Sequence, residues 1–335
     1  MFTSSRVFLL AAAMLVLSRP VVAQTFDIVG TRAAGMGGAF VAVADDASAT
    51  YWNPAGLALG HPFSTGADRK DTEAKEKSFD DRTSHDIGSF AGIAIPVLGF
   101  SYYRLRTTAV TPLNTIALGQ ANGASAVRFA RLDKLSTHQT GITLVQSLFQ
   151  GVAIGTTLKV VHGDAAIAVV PDGNRDELLD RANDLPTDGT NKFDADLGVI
   201  AGGGRLKVGL TVRNLTEPSF RVTGTSSSLR LSRQARGGLA ISVAEGWAVS
   251  SDFDLTKNGP AEAPVRSFAV GTEGRLDPKI YVRSGFHLST TGAARPSFSA
   301  GGSYGVRSSV WIDGQATWGP ANADRGWGIA TRVTY

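Results

Sequence analysis

The chain has 335 residues, of which 39 are glycine, none is cysteine and only 19% are charged. A net charge of +4 without any basic stripe of interleaved aromatics excludes a nucleic-acid surface. After residue 23 no apolar stretch approaches the roughly 18–20 residues that a membrane-spanning helix requires. Mean hydropathy is nevertheless close to zero, high for a water-soluble chain with so little helical periodicity. Strands that are apolar on one face only reconcile these facts, and the missing cysteines fit an exported protein without disulfide staples.

In chain order the first element is a leader. Arg6 is followed by the apolar run Val7 to Leu17, then by Ser18, Arg19 and Pro20, and Val21-Val22-Ala23 supplies the small residues that signal peptidase reads. The expectation is a signal peptide over residues 1–23, with Gln24 as the mature N-terminus. Its apolar core is too short to span a membrane.

Residues 24–60 form the second segment, in which small residues dominate from Ala33 to Ala49. Gly35, Gly37 and Gly38 permit close backbone approach, Asp45 and Asp46 end the apolar part, and Asn53-Pro54 forces a turn. A compact segment of this kind fits inside a tube. The glycines lack the spacing of a dinucleotide fingerprint, and no Walker lysine follows.

This segment carries a resemblance. Gly30-Thr31-Arg32-Ala33-Ala34-Gly35-Met36-Gly37-Gly38-Ala39, then Ala44-Asp45-Asp46-Ala47, then Asn53-Pro54-Ala55 resembles the N-terminal plug of the FadL-like long-chain fatty-acid transporter superfamily. The form Trp52-Asn53-Pro54-Ala55-Gly56-Leu57 is closer to its TraF-like and PorV/PorQ-like members, and Phe193 to Gly198 and Gly209 to Leu215 resemble the TraF-like group more loosely. The resemblance implies a plug motif of Arg32, Gly35, Gly37, Gly38, Asp45, Asp46, Asn53, Pro54 and Ala55. It also implies a barrel whose ligand enters from outside while the plug gates the way to the periplasm.

From Phe63 onward, period-two alternation recurs. Leu206, Val208, Leu210 and Val212 face one way, and Lys207, Gly209, Thr211 and Arg213 the other. About fourteen strands are expected, an even number as outer-membrane barrels require. They fall near 63–73, 86–95, 98–107, 125–147, 151–163, 192–202, 205–215, 231–243, 247–256, 265–275, 279–289, 295–305, 308–318 and 326–335. Short links alternate with long polar ones, as periplasmic turns alternate with outer loops. Trp311, Trp318, Trp327 and Tyr335 lie near strand ends, where an interfacial aromatic girdle would sit. The resemblance implies that the terminal aromatic strand is the signal read by the barrel-assembly machinery.

No catalytic constellation is expected. His61, His85, His138, His162 and His287 lack zinc-ligand spacing, and no G-x-S-x-G elbow occurs. Asp194 and Asp196 share a face, as do Asp252 and Asp254; a glycosidase or cation pair competes here with a hydrated salt-bridged lumen. The lumen reading is preferred, because Lys159, Lys207, Arg213, Arg283 and Arg332 fall on the same interior. The acidic stretch 172–188 reads as a partly helical, solvated loop.

The sequence therefore predicts an all-β, transmembrane antiparallel β-barrel over 61–335, in the bacterial outer membrane, plugged by residues 24–60. It needs no cofactor, metal or nucleic acid. Its partners are outer-membrane lipid and lipopolysaccharide, the assembly machinery, and either hydrophobic small molecules or secretion components. Passage or binding of small hydrophobic molecules leads; an accessory scaffold for secretion or surface assembly and a general porin are the alternatives.

Overall fold

A computed structural model of the chain describes residues 27–74, 83–113, 128–223, 225–258, 265–291, 295–320 and 324–335. The expected leader and Gln24 lie outside the described residues. The strands are β1 (Ser64–Ala74), β2 (Thr83–Ile95), β3 (Leu98–Leu113), β4 (Phe129–Phe149), β5 (Val152–Pro171), β6 (Thr190–Gly203), β7 (Leu206–Arg213), β8 (Ser219–Thr223), β9 (Ser228–Arg230), β10 (Gln234–Ala244), β11 (Trp247–Asp254), β12 (Ser267–Asp277), β13 (Ile280–Ser289), β14 (Ser297–Arg307), β15 (Val310–Trp318) and β16 (Arg325–Thr334).

Fourteen of them close an antiparallel barrel in which each pairs with its neighbours in sequence, β7 with β10 across the β8–β9 hairpin. The first strand seals the last, with Ser64 opposite Thr334 and Glu73 opposite Arg325. Closure leaves no free sheet edge, the condition for a β-structure to sit in lipid. The short turns lie at one end, and Gly151, Gly204 and Gly246 take positive φ there (80°, 59° and 73°), a conformation side chains resist.

Alternation places apolar residues outward. Val208, Leu210, Leu239, Ile241, Phe253 and Ile312 are all exposed, whereas Thr211, Arg213, Arg236, Asp252 and Asp313 are buried inside. Trp318, Trp327 and Tyr335 are exposed on the outer face, but Trp311 is buried. The girdle expectation fails for Trp311 because its neighbours Val310 and Ile312 take the outward positions of β15. Trp311 instead packs edge-on against Tyr281, with centroids 5.3 Å apart.

β3, β4 and β5, at 16, 21 and 20 residues, run on past the other barrel strands, and each face of this extension acquires its own cover. Outward, helix α3 (Arg175–Asn183; α1 is Thr31–Gly35 and α2 is Ala49–Trp52) buries Leu178, Leu179 and Ala182 against Val110, Leu132 and Val170. The Asn174 side chain accepts from the Asp176 and Glu177 amides at 2.9 and 3.3 Å, which caps the helix. The stretch expected as a solvated loop is therefore half a packing element, since its leucines recur at helical spacing among the acids. Inward, β8 and β9 bury Phe220, Val222 and Leu229 against Leu135, Val161 and Ala165 at the barrel mouth.

Residues 29–57 lie almost wholly buried within the barrel. A 14-strand tube is wider than its own side chains fill, since eight strands already suffice for a packed interior. The inserted segment occupies the difference.

Candidate functional site

Helix α1 lies against β13, β14 and β15, while α2 and the 3₁₀ turn Pro54–Leu59 lie against β3 to β6. Between them Phe40 and Trp52 meet edge-on at 5.7 Å. Together with Met36, Val41 and Leu57 they share one apolar core with Phe90, Tyr103 and Leu105 of the wall. The Trp52 indole donates to the Val29 carbonyl at 2.7 Å, so its polar edge is satisfied without water.

The plug meets the wall backbone to backbone where the wall carries glycine. A Cβ on Gly285 would stand 2.1 Å from the Gly37 nitrogen, on Gly155 2.4 Å from the Pro54 carbonyl carbon, and on Gly198 2.2 Å from the Asn53 Oδ1. Gly37 and Gly38 themselves take φ of 65° and 84°, and Gly35 lies against the Gly301 backbone. The glycine richness of the composition is thus partly a fit between two backbones.

Asn53 carries the turn. Its Nδ2 donates to the Val41 carbonyl at 3.1 Å within the plug and to the Val199 carbonyl of β6 at 3.0 Å, and its Oδ1 accepts from the Ala55 amide at 3.2 Å. Pro54 opens the 3₁₀ turn, where its lack of an N–H does no harm. Asp252 of β11 completes the anchoring: one carboxylate oxygen accepts from the Phe40 and Val41 amides at 2.8 and 2.9 Å.

Arg32 joins plug and wall by charge. It donates bidentately to Glu273 of β12 at 2.8 and 2.7 Å and also reaches Asp45 and, at 3.0 Å, Asp46. Burial alone would favour neutral Arg32; Asp45 and Glu273 outweigh it and hold the guanidinium well above its ordinary value. Burial alone would likewise raise the Asp46 carboxyl, but Arg32, then Arg332, hold it below its ordinary value. On the wall the chain of charges continues from Glu273 to Arg283 at 2.6 Å, to Asp313 at 3.5 Å and from Asp313 to Arg332 at 3.3 Å.

The remaining inward charges form two further groups. Lys159 bridges Asp194 and Asp196 at 3.2 and 2.7 Å, and Arg213 joins Asp196 at 3.5 Å while its guanidinium covers the Tyr51 ring at 3.5 Å. Asp254 pairs with Arg236 at 2.7 Å and accepts from Asn258 and the Ser267 amide. Lys207 points inward near the short-turn end and enters no ion pair among the described residues. Glu273, Arg236 and Asp313 were missed from sequence, although inward alternation on β12, β10 and β15 already placed them in the lumen.

The arrangement can hold a plug and, by shifting it, change access through the barrel. The carboxylates named above are each committed to a cation or an amide, and among the described residues no cluster of three or more metal-type ligands occurs.

A family model described as "F plasmid transfer operon, TraF, protein" matches residues 136–254, about a third of the chain. No curated protein matches by sequence. Among solved structures, the Ralstonia pickettii toluene transporter TbuX superposes with a TM-score of 0.62 at 14% identity, covering 93% of this chain and 100% of that one. The CymD monoaromatic hydrocarbon channel gives 0.61 at 11% identity, covering 93% and 99%. A Pseudomonas aeruginosa FadL homologue gives 0.57 at 10%, covering 94% and 98%. The fold of this chain, a closed 14-strand antiparallel barrel, matches that of FadL-type barrels.

Proposed function

We propose that the protein is an outer-membrane barrel that binds or passes small hydrophobic molecules, exported by cleavage of its leader after Ala23. One observation carries the reading. An N-terminal segment closes the lumen of a 14-strand barrel, and the apolar side of that seal continues along the wall. Phe90, Tyr103 and Leu105 back the plug on β2 and β3, and Leu135, Val161 and Ala165 meet the β8–β9 hairpin at the mouth. An apolar solute entering from the mouth would meet this apolar sector once the hairpin and the plug give way, with the paired charges of Lys159, Asp194, Asp196 and Arg213 adjoining it. Hydrocarbon channels with the same architecture support the same reading.

Because residues 29–57 fill the lumen, passage requires the plug to move. The test is uptake of radiolabelled toluene into liposomes holding the full-length barrel or a form lacking residues 27–52, with native mass spectrometry of molecules retained by the purified protein. Retained apolar molecules and faster uptake after the deletion are expected. A folded deletion form that admits no more than the full-length protein refutes transport. The interlocked plug favours a second reading, a scaffold barrel for secretion or surface assembly in the manner of PorV-like proteins; that result would select it. Recovery of the protein in the soluble periplasm after carbonate washing would refute the location.

A further inference from the structure

The outer face of β1 to β3 departs from the rest of the barrel. Counting outward-facing residues up from the short-turn end, the fourth is Val212 on β7, Phe253 on β11, Phe286 on β13, Ala316 on β15 and Ile329 on β16. On β1 and β3 the fourth is Arg69 and Arg104, and on β3 the fifth is Arg106. The lipid-facing belt is thus interrupted early on one side by three guanidinium groups.

The register gathers them. Arg69 stands directly opposite Ser89 of β2, and Ser89 directly opposite Arg104. Directly paired residues share a face, so the two arginines flank a small serine at about 10 Å, two strand spacings. Arg106 is two residues further up the same face of β3. Arg69 and Arg104 are exposed, and among the described residues none of the three makes an ion pair. Nearby anions are Asp71, engaged by His85 at 2.9 Å, Glu73, and Asp164 on β5. Beside Arg104 runs a polar strip in which His138 takes the Tyr102 hydroxyl at 2.7 Å and packs edge-on against His162 at 6.1 Å.

Unpaired arginines at lipid level demand an anion. A charge left alone on a barrel's lipid face costs about 2–4 kcal/mol near mid-membrane, and long cationic side chains relieve it by reaching toward headgroups. The planar, always-charged guanidinium fits phosphate oxygens bidentately. We infer that Arg69, Arg104 and Arg106, grouped by register around Ser89, form a binding site for a phosphate of an anionic, phosphorylated glycolipid in the outer leaflet. The inference rests on the outer-membrane reading.

The test reconstitutes the full-length protein into phosphatidylcholine vesicles and measures, after purification, retained bis-phosphorylated lipid A against its dephosphorylated form. Wild type is expected to retain the phosphorylated lipid at least about tenfold more, 1.4 kcal/mol per decade. The Arg104→Gln/Arg106→Gln form should lose that preference, and Ser89→Glu should lose it with every arginine in place. Arg307→Gln, at the short-turn end, should keep it. Excess inorganic phosphate should not displace the lipid; displacement would identify a free-anion site and overturn the assignment. A wild type inserted in the vesicles that retains both lipids equally refutes this inference alone. A wild type that does not insert refutes the membrane reading and this inference with it.

Discussion

Replacing Arg32 with alanine isolates the charge link between plug and wall. Arg32 is only 12% exposed and contacts Asp45, Asp46 and Glu273. Removing one member of a buried ion pair generally costs about 3–5 kcal/mol, because the partner charge stays buried and unmatched. Here Glu273 keeps Arg283 and Asp46 keeps Ser48, so the lower end applies, about 3 kcal/mol. At 1.4 kcal/mol per factor of ten, states with a displaced plug rise about a hundredfold. Hydrogen exchange of amides between Gly30 and Gly60 reads this directly, since opening free energies set protection. We expect protection to fall by about two decades at plug amides, with heat-modifiable gel mobility unchanged. A double-mutant cycle with Glu273→Ala should show strong coupling. Loss of protection by less than about threefold, or additive single effects, would refute the idea that Arg32 holds the plug.

Three other outcomes follow from the same geometry. Gly285→Ala places a methyl group 2.1 Å from the Gly37 nitrogen, so plug amides should exchange faster, whereas Gly314→Ala, which meets nothing within 4 Å, should change nothing. Val208→Arg, on the lipid face, should impair assembly by about 2–4 kcal/mol, while Lys207→Arg on the opposite face should assemble normally in the gel-shift assay. Asp46 has a depressed pKa in the folded protein, so its contribution is complete above the ordinary value of 3.8 and lost as pH falls through the lower folded value. The share of plug protection that Asp46→Asn removes should therefore be constant from neutral pH to about pH 4 and fall only below it; a midpoint near pH 6 in that difference would contradict the pairing.

The barrel was legible because its physics is local. Each strand's alternation, each short turn and the parity of long and short links are written in neighbouring residues, and the expected windows fall on the fourteen barrel strands within a few positions, except that β3 and β5 run six and eight residues past their expected ends at 107 and 163. The aromatic reading of Trp311 went wrong where nearness to a strand end was weighed above parity, which Val310 and Ile312 already displayed. The β8–β9 hairpin escaped because Phe220 and Val222 alternate over only five residues inside a long polar link. The pairing of Arg32 with Glu273 spans 241 positions, and alternation names a face, never a partner across the lumen. Thr211 marks a subtler limit. Its inward direction was readable, but alternation does not show that Thr211 is wholly buried in a filled interior, with no room for a larger side chain.

The glycine lining of the wall has a practical consequence for anyone wishing to engineer this barrel. Where Gly155, Gly198 and Gly285 face inward, the wall is already bare backbone, and there is nothing left to trim. The bore at that level can be narrowed by substitution but not widened, so room there can be opened only by editing residues 27–60. A redesign that treats the strands as the adjustable part and the insert as packing has the two roles reversed.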